Sequence, residues 1–183
     1  MPLSRGYATG SDYYDLLDYP FARVPRNGWG VDTAELKRQW RRKQALVHPD
    51  RMINKSAEEQ ESAAAHSAQV NRAYETLAKP LSRAEYLVSR FGRETQEGEI
   101  QADPMLLMEV MELQEGVENA SSHEEIDELD AQNSAHLSET LAALDEAFGA
   151  DPPDLEAANK HIAELRYWTN IERAISDWRV AHA

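Results

Sequence analysis

The 183-residue chain carries 19 Lys and Arg against 33 Asp and Glu, a formal net charge of −14, with 42% apolar residues and no Cys. That length allows one domain or two small ones with a true core, and the lack of Cys removes disulfides, thiolate metal sites and cysteine nucleophiles together. No run of about 18 apolar residues offers a transmembrane helix, and the acidic balance argues against nucleic acid, whose phosphates repel such a chain.

The charge is unevenly divided. Residues 1–93 hold 15 basic and 11 acidic side chains, a net of +4, whereas residues 94–183 hold 4 and 22, a net of −18. Two domains with separate partners are expected, over 12–91 and 103–183. A polar linker over 92–102, containing Gly92 and Gly98, divides them.

In chain order, residues 1–11 show no periodicity and are expected to be disordered. Arg5-Gly6-Tyr7-Ala8 resembles the end of a mitochondrial presequence, with processing after Tyr7, and Met1–Gly10 holds no acid. An arbitrary unstructured terminus accounts for the same residues equally well. Ser11-Asp12 predicts a cap for a short helix through Tyr14, Leu16 and Leu17. Pro20, Pro25 and the turn signal Asn27-Gly28 interrupt the chain. Asp32 or Thr33 then caps a basic helix from Ala34 to Val47, which ends at His48-Pro49-Asp50 because Pro49 disfavours helical geometry at His48. A long helix is predicted from about Ala57 to Leu77. Pro80 separates it from a shorter one containing Ala84, Tyr86, Leu87 and Val88.

In the second half, Asp103-Pro104 pairs an N-cap with Pro at the first helical position, and that helix runs to about Asn119. Ser121-Ser122 starts the next, with Glu124 and Glu125 in its first turn. Its apolar stripe is Ile126, Leu129, Leu137, Leu141, Leu144 and Phe148. Gly149 and Pro152-Pro153 end it and open a last helix from about Asp154 to Val180. The expected class is all-α, with four helices, a linker and three longer helices.

Glycine-rich phosphate loops and a nucleophile elbow are absent from the sequence. A di-metal bundle enzyme needs Glu-x-x-His pairs on two helices. Here the order is reversed, His136 before Glu139 and His161 before Glu164, and both histidines read as solvated polar residues. No cofactor, no metal and no catalytic residue are expected.

On the basic helix, Leu36, Trp40 and Val47 share one narrow stripe, while Arg38, Arg41 and Arg42 gather opposite, with Lys37 at the margin. Alone, this pattern fits a solvated face as well as a docking face. The wider arrangement decides between them: Tyr14-Asp15-Leu16-Leu17, the Leu36–Val47 helix, His48-Pro49-Asp50-Arg51, then Asn71-Arg72-Ala73-Tyr74-Glu75-Thr76-Leu77. From Tyr13 to Leu87 the chain resembles a J domain, a helical hairpin with short flanking helices. The resemblance implies a partner, the nucleotide-binding domain of a DnaK-type heat-shock chaperone, met by His48, Pro49, Asp50, Lys37, Arg38, Arg41 and Arg42. A positive face suits an acidic ATPase surface, and Asp50 would place a carboxylate near a basic switch residue. One departure is Lys43, on the core stripe where J domains usually carry Leu, so its stem is expected to snorkel.

The second half resembles the three-helix C-terminal domain of HscB/Jac-type co-chaperones of iron–sulfur cluster assembly. The likeness runs through Asp103-Pro104-Met105-Leu106-Leu107-Met108-Glu109-Val110-Met111-Glu112 and Leu165-Arg166-Tyr167-Trp168. Periodicity points to the same surface. Leu106, Val110, Leu113 and Val117 fill one bundle face, whereas Leu107, Met108 and Met111 form a second apolar patch beside Glu112 and Glu115. That second patch is either a wider buried face, including contact with the first domain, or a docking surface with adaptable Met side chains. The resemblance assigns Leu106, Leu107, Met108, Met111, Glu112, Glu115 and Tyr167 to binding an IscU-type cluster scaffold. It implies a non-enzymatic adaptor that presents the scaffold to the chaperone and stimulates its ATPase, in the mitochondrial matrix or, as the alternative, the bacterial cytoplasm. A J-domain co-chaperone with another client is the competing reading.

Overall fold

The computed structural model describes residues 12–46, 56–93 and 103–183. Among these residues are seven α-helices and one short 3-10 turn, with no strand. The all-α class is as expected. The chain divides into two compact units, Met1–Arg93 and Glu94–Ala183, and no helix among the described residues is long and apolar enough to cross a membrane.

In the first unit, α1 (Tyr13–Leu16) is capped by Asp12, whose carboxylate accepts from the Tyr14 amide. The 3-10 turn spans Phe21–Arg23. Of the two candidate caps for α2 (Thr33–Leu46), Asp32 is the one used, accepting from the Ala34 and Glu35 amides. α3 (Ala57–Ala78) opens with a capping box between Ser56 and Glu59. α4 (Pro80–Arg90) begins at Pro80, so the residue expected to separate two helices starts the second of them. The predicted start at Met1–Ser11 and the end of α2 at Val47 lie outside the described residues.

α2 and α3 pack as an antiparallel hairpin. Leu36 from α2, Val70, Ala73 and Leu77 from α3, and Ala84, Leu87 and Val88 from α4 are fully buried. Tyr14 and Leu17 join them, which ties a four-residue helix to the core. Three further contacts hold α1 to α4: an Asp12–Arg90 ion pair at 2.7 Å, the Tyr86 hydroxyl donating to Asp12, and Tyr13 stacked on Tyr86. Arg83, nearly buried, lies over the Trp29 ring and donates from Nη1 to the Leu77 carbonyl. Lys43 does more than snorkel. Its stem is mostly buried and its ammonium sits 2.8 Å from the Asp18 carboxylate.

In the second unit, α5 (Pro104–Asn119), α6 (His123–Gly149) and α7 (Leu155–Ala181) start on the caps Asp103, Ser122 and Asp154. α6 and α7 form a long antiparallel hairpin, clasped where Arg179 donates to Asp127 and Asp130. α5 lies against it, burying Val110, Leu113 and Val117 on Ile126, Trp168, Ile171 and Ile175. The close approach of α5 to α6 uses Gly116, where a Cβ would meet Leu129 Cδ2 at 2.8 Å.

The α6 stripe needs correction. Leu129, Leu137 and Leu141 are only half-buried, whereas Asn133 and Thr140 are buried. Asn133 is inside because its Nδ2 donates to the Trp168 carbonyl across the hairpin. The two histidines are not simply solvated either. Both are half-buried; His136 stacks on Trp168, and His161 Nδ1 lies 2.7 Å from Glu164.

Candidate functional site

Two surfaces carry the residues singled out from the sequence, one in each unit. On α2, Lys37, Arg38, Arg41 and Arg42 are all exposed, while Leu36 on the other side is fully buried. The helix is therefore amphipathic in the expected sense, with its cations in water. Arg38 is held back toward Glu35, to which it donates from both Nε and Nη2. That contact holds the Glu35 carboxyl below its usual range, with a further contribution from Gln39. Lys37 and Arg41 have no ion-pair partner among the described residues. His48, Pro49 and Asp50 lie outside the described residues.

The α2–α3 contact is more polar than an apolar stripe suggests. Leu36 is the one buried residue of α2. Toward its C-terminal end, Trp40 stacks on Tyr74 with ring centroids 4.7 Å apart, and its indole N–H donates to Asn71 Oδ1 at 2.8 Å. Gln44 Nε2 donates to the same oxygen at 2.6 Å, and Gln44 Oε1 accepts from the Ser67 hydroxyl at 3.0 Å.

On α5, the two faces separate cleanly. Val110, Leu113 and Val117 are at most 8% exposed, whereas Met108 and Met111 are 62% and 61% exposed and Leu107 is 37%. Glu112 and Glu115 are exposed beside them. Leu106 and Tyr167 differ from the rest. Both are half-buried and pack against the core cluster, so their outer edges alone are accessible. Met105, 70% exposed, is an addition. It falls one turn from Met108 and two from Glu112, a spacing that was available in the sequence. α5 has no Lys or Arg at all, so the patch is apolar at its centre and acidic at its margin. Among the described residues, no three His, Asp or Glu side chains converge as a metal site would require.

These two units match known families separately. The DnaJ domain matches residues 12–86, and the HSCB C-terminal oligomerisation domain matches residues 102–176. The human iron–sulfur cluster co-chaperone protein HscB is 34% identical over 165 residues, covering 90% of this chain and 67% of that protein.

The chain belongs to the HscB family of J-domain co-chaperones.

The crystal structure of human HscB superposes with a TM-score of 0.83 at 32% identity, over 97% of this chain and 86% of that one. The Shewanella denitrificans HscB homolog is 36% identical over 91% of this chain and 99% of its own length. The mitochondrial J-type co-chaperone JAC1 of Saccharomyces cerevisiae is 28% identical over 92% and 89%. Kinship at this level makes the protein a J-type co-chaperone of iron–sulfur cluster biogenesis. Mitochondrial and bacterial proteins both stand among its HscB-type relatives.

Proposed function

We propose that the protein binds an IscU-type cluster scaffold through α5 and delivers it to a DnaK-type heat-shock chaperone, whose ATPase it stimulates through its J domain. The chaperone surface comprises the exposed Lys37, Arg38, Arg41 and Arg42 with His48, Pro49 and Asp50. The scaffold surface comprises Leu107, Met108, Met111, Glu112 and Glu115, with the accessible edges of Leu106 and Tyr167. The protein acts by binding, with no chemistry and no cofactor of its own. Its place of work is the mitochondrial matrix or the bacterial cytoplasm, and relatives of both kinds support the two equally.

The observation that carries this reading is the Leu107–Met108–Met111 patch, left exposed on a helix that already has a complete buried face. A three-helix bundle has no need of two apolar faces on one helix, and exposed apolar clusters mark docking surfaces. Flexible Met side chains suit a contact surface, and the acidic margin suits a partner with Lys or Arg around an apolar centre.

The test is steady-state ATP hydrolysis by a purified DnaK-type chaperone, with the scaffold present and absent. Wild-type protein should raise the rate, more so with scaffold. Asp50→Ala and His48→Gln should abolish stimulation while scaffold capture and helical content stay unchanged. An Asp50→Ala protein that stimulates normally would overturn the assignment of that carboxylate. Stimulation indifferent to salt would remove the electrostatic part, since exposed charges are screened within about 8 Å at physiological ionic strength.

A further inference from the structure

We propose that the Trp40–Asn71–Gln44–Ser67 hydrogen-bond chain is a positioning device, fixing the rotation and register of α2 on α3 and so the aim of the chaperone-docking face. The inference rests on the proposed function for its consequence, though not for its geometry.

The argument starts from what α2 lacks. Beyond Leu36 no other described side chain of α2 is buried; toward its C-terminal end the helix meets α3 through the half-buried Trp40, stacked on Tyr74, and through hydrogen bonds. Apolar packing is non-directional, and a helix held by it alone can rotate or slip with small loss. A hydrogen-bond chain cannot. Here each link also has a required polarity. The indole of Trp40 can only donate, which forces Asn71 to present Oδ1 toward it. With that oxygen committed, Gln44 must offer its NH₂ group, which it does at 2.6 Å. Gln44 Oε1 then faces away and accepts from Ser67. One donor-only ring therefore sets the orientation of two amides, and the three bonds form together in one register.

The stacked Tyr74 closes the arrangement from the other side of Trp40. The four residues form an i, i+4 pair on each helix, about one turn of α2 facing one turn of α3, so a rotation of either helix breaks more than one bond. Polar groups at such a position specify one arrangement more than they add stability. What they specify here is which way Arg41 and Arg42, in the same turn of α2, face the chaperone.

Three variants separate positioning from bulk stability. Asn71→Leu removes the shared acceptor but keeps side-chain volume. Asn71→Asp keeps an acceptor for both donors. Gln44→Glu keeps shape but replaces the required donor with a second acceptor facing Asn71 Oδ1. Asn71→Leu and Gln44→Glu should each lower chaperone stimulation by about tenfold to a hundredfold, the scale of a small misplacement in a positioned group. Their melting temperatures should shift by only a few degrees, and scaffold capture should be unchanged. Asn71→Asp should stimulate close to wild type. Amide hydrogen exchange on the same proteins reads the geometry directly. Exchange over Trp40–Leu46 should rise in Asn71→Leu and Gln44→Glu, but not in Asn71→Asp. Wild-type stimulation by Asn71→Leu, or equal impairment of all three variants, overturns the proposal. Should wild type itself fail to stimulate, the proposed function falls, and exchange unchanged by Asn71→Leu would then overturn the positioning role on its own.

Discussion

Tyr14 shows how much a single side chain carries in the first unit. It belongs to a four-residue helix, too short to stand alone, yet it is fully buried and its hydroxyl donates to the Gly28 carbonyl at 2.7 Å. Its ring meets Phe21 edge-on. Burial pushes the phenol well above its ordinary range, partly offset by the nearby Arg83 guanidinium. The sign of the pH effect follows. The folded phenol holds its proton more firmly than the unfolded one, so the contribution is whole below an unfolded pKa of about 10 and is lost as the pH rises beyond it. Tyr14→Phe should cost about 1–3 kcal/mol at neutral pH, because the Gly28 carbonyl is left buried without its donor. It should also flatten the alkaline loss of stability. Urea unfolding at neutral pH and near pH 11, on both proteins, checks the two effects together. An equal decline in both would mean that Tyr14 ionises freely in the folded chain.

Among the elements, the tightest is the turn at 26–28. Arg26, Asn27 and Gly28 all have positive φ, and at Gly28 (φ 92°) a Cβ would lie 2.4 Å from Phe21 Cε2 and 2.9 Å from Leu87 Cδ2. Gly28→Ala should therefore destabilise by about 1–3 kcal/mol through backbone strain, with a further loss from displaced Phe21, read as a lower melting temperature with retained helical content. A melting temperature equal to wild type would mean the turn relaxes freely. Asn27-Gly28 was legible as a turn because the residue types announce it. The helices were legible for similar reasons: Asp32, Asp103, Ser122 and Asp154 are local caps, and local chemistry is what a sequence displays. Lateral pairing across helices is less visible. Nothing near Asn133 indicates that its partner is a carbonyl 35 residues away; its angle falls within the α6 stripe, between Leu129 and Leu137, but a stripe counted on apolar residues passes over an amide. Asn71 and Gln44 escaped for the same reason, since a hydrogen bond between two polar residues leaves no hydrophobic signature. Lys43 was half-read: its place on the core stripe was plain, but its ion partner Asp18 comes from the loop after α1. At the surface, the exposed face of α5 was legible because angle alone separates Leu107 and Met111 from Leu113. Tyr167 was less so, because one residue on a long helix can face core and solvent at once.

At the scale of the whole molecule, the two units divide charge as they divide fold: the first is net basic, and the second carries 22 acids against 4 bases. An adaptor built this way can address partners of different character without each surface attracting the other's ligand, and the charge on each side sets encounter rate and specificity more than affinity. Under the proposed function, affinity for the scaffold then comes from the apolar patch. Leu107, Met108 and Met111 to Ala should each cost about 1–2 kcal/mol of binding if they form the centre of that interface. Together they should weaken binding by roughly three orders of magnitude, with allowance for non-additivity. Their exposure means that truncation leaves no cavity, so the unfolding transition should hardly move. Leu113, 5% exposed and packed with Val110 and Val117, is the matched control: Leu113→Ala should cost about 2–5 kcal/mol of stability. Tyr167 needs gentler treatment because it leans on the core cluster. Tyr167→Phe keeps the ring and removes only the hydroxyl, whereas Ala there would confound binding with packing. Thermal unfolding beside scaffold pull-down on the triple variant decides the matter. Lost capture with an unchanged melting temperature assigns the patch to docking. Capture that survives the triple substitution would move the client surface off α5, and a collapsed melting temperature would mean that these side chains support the fold.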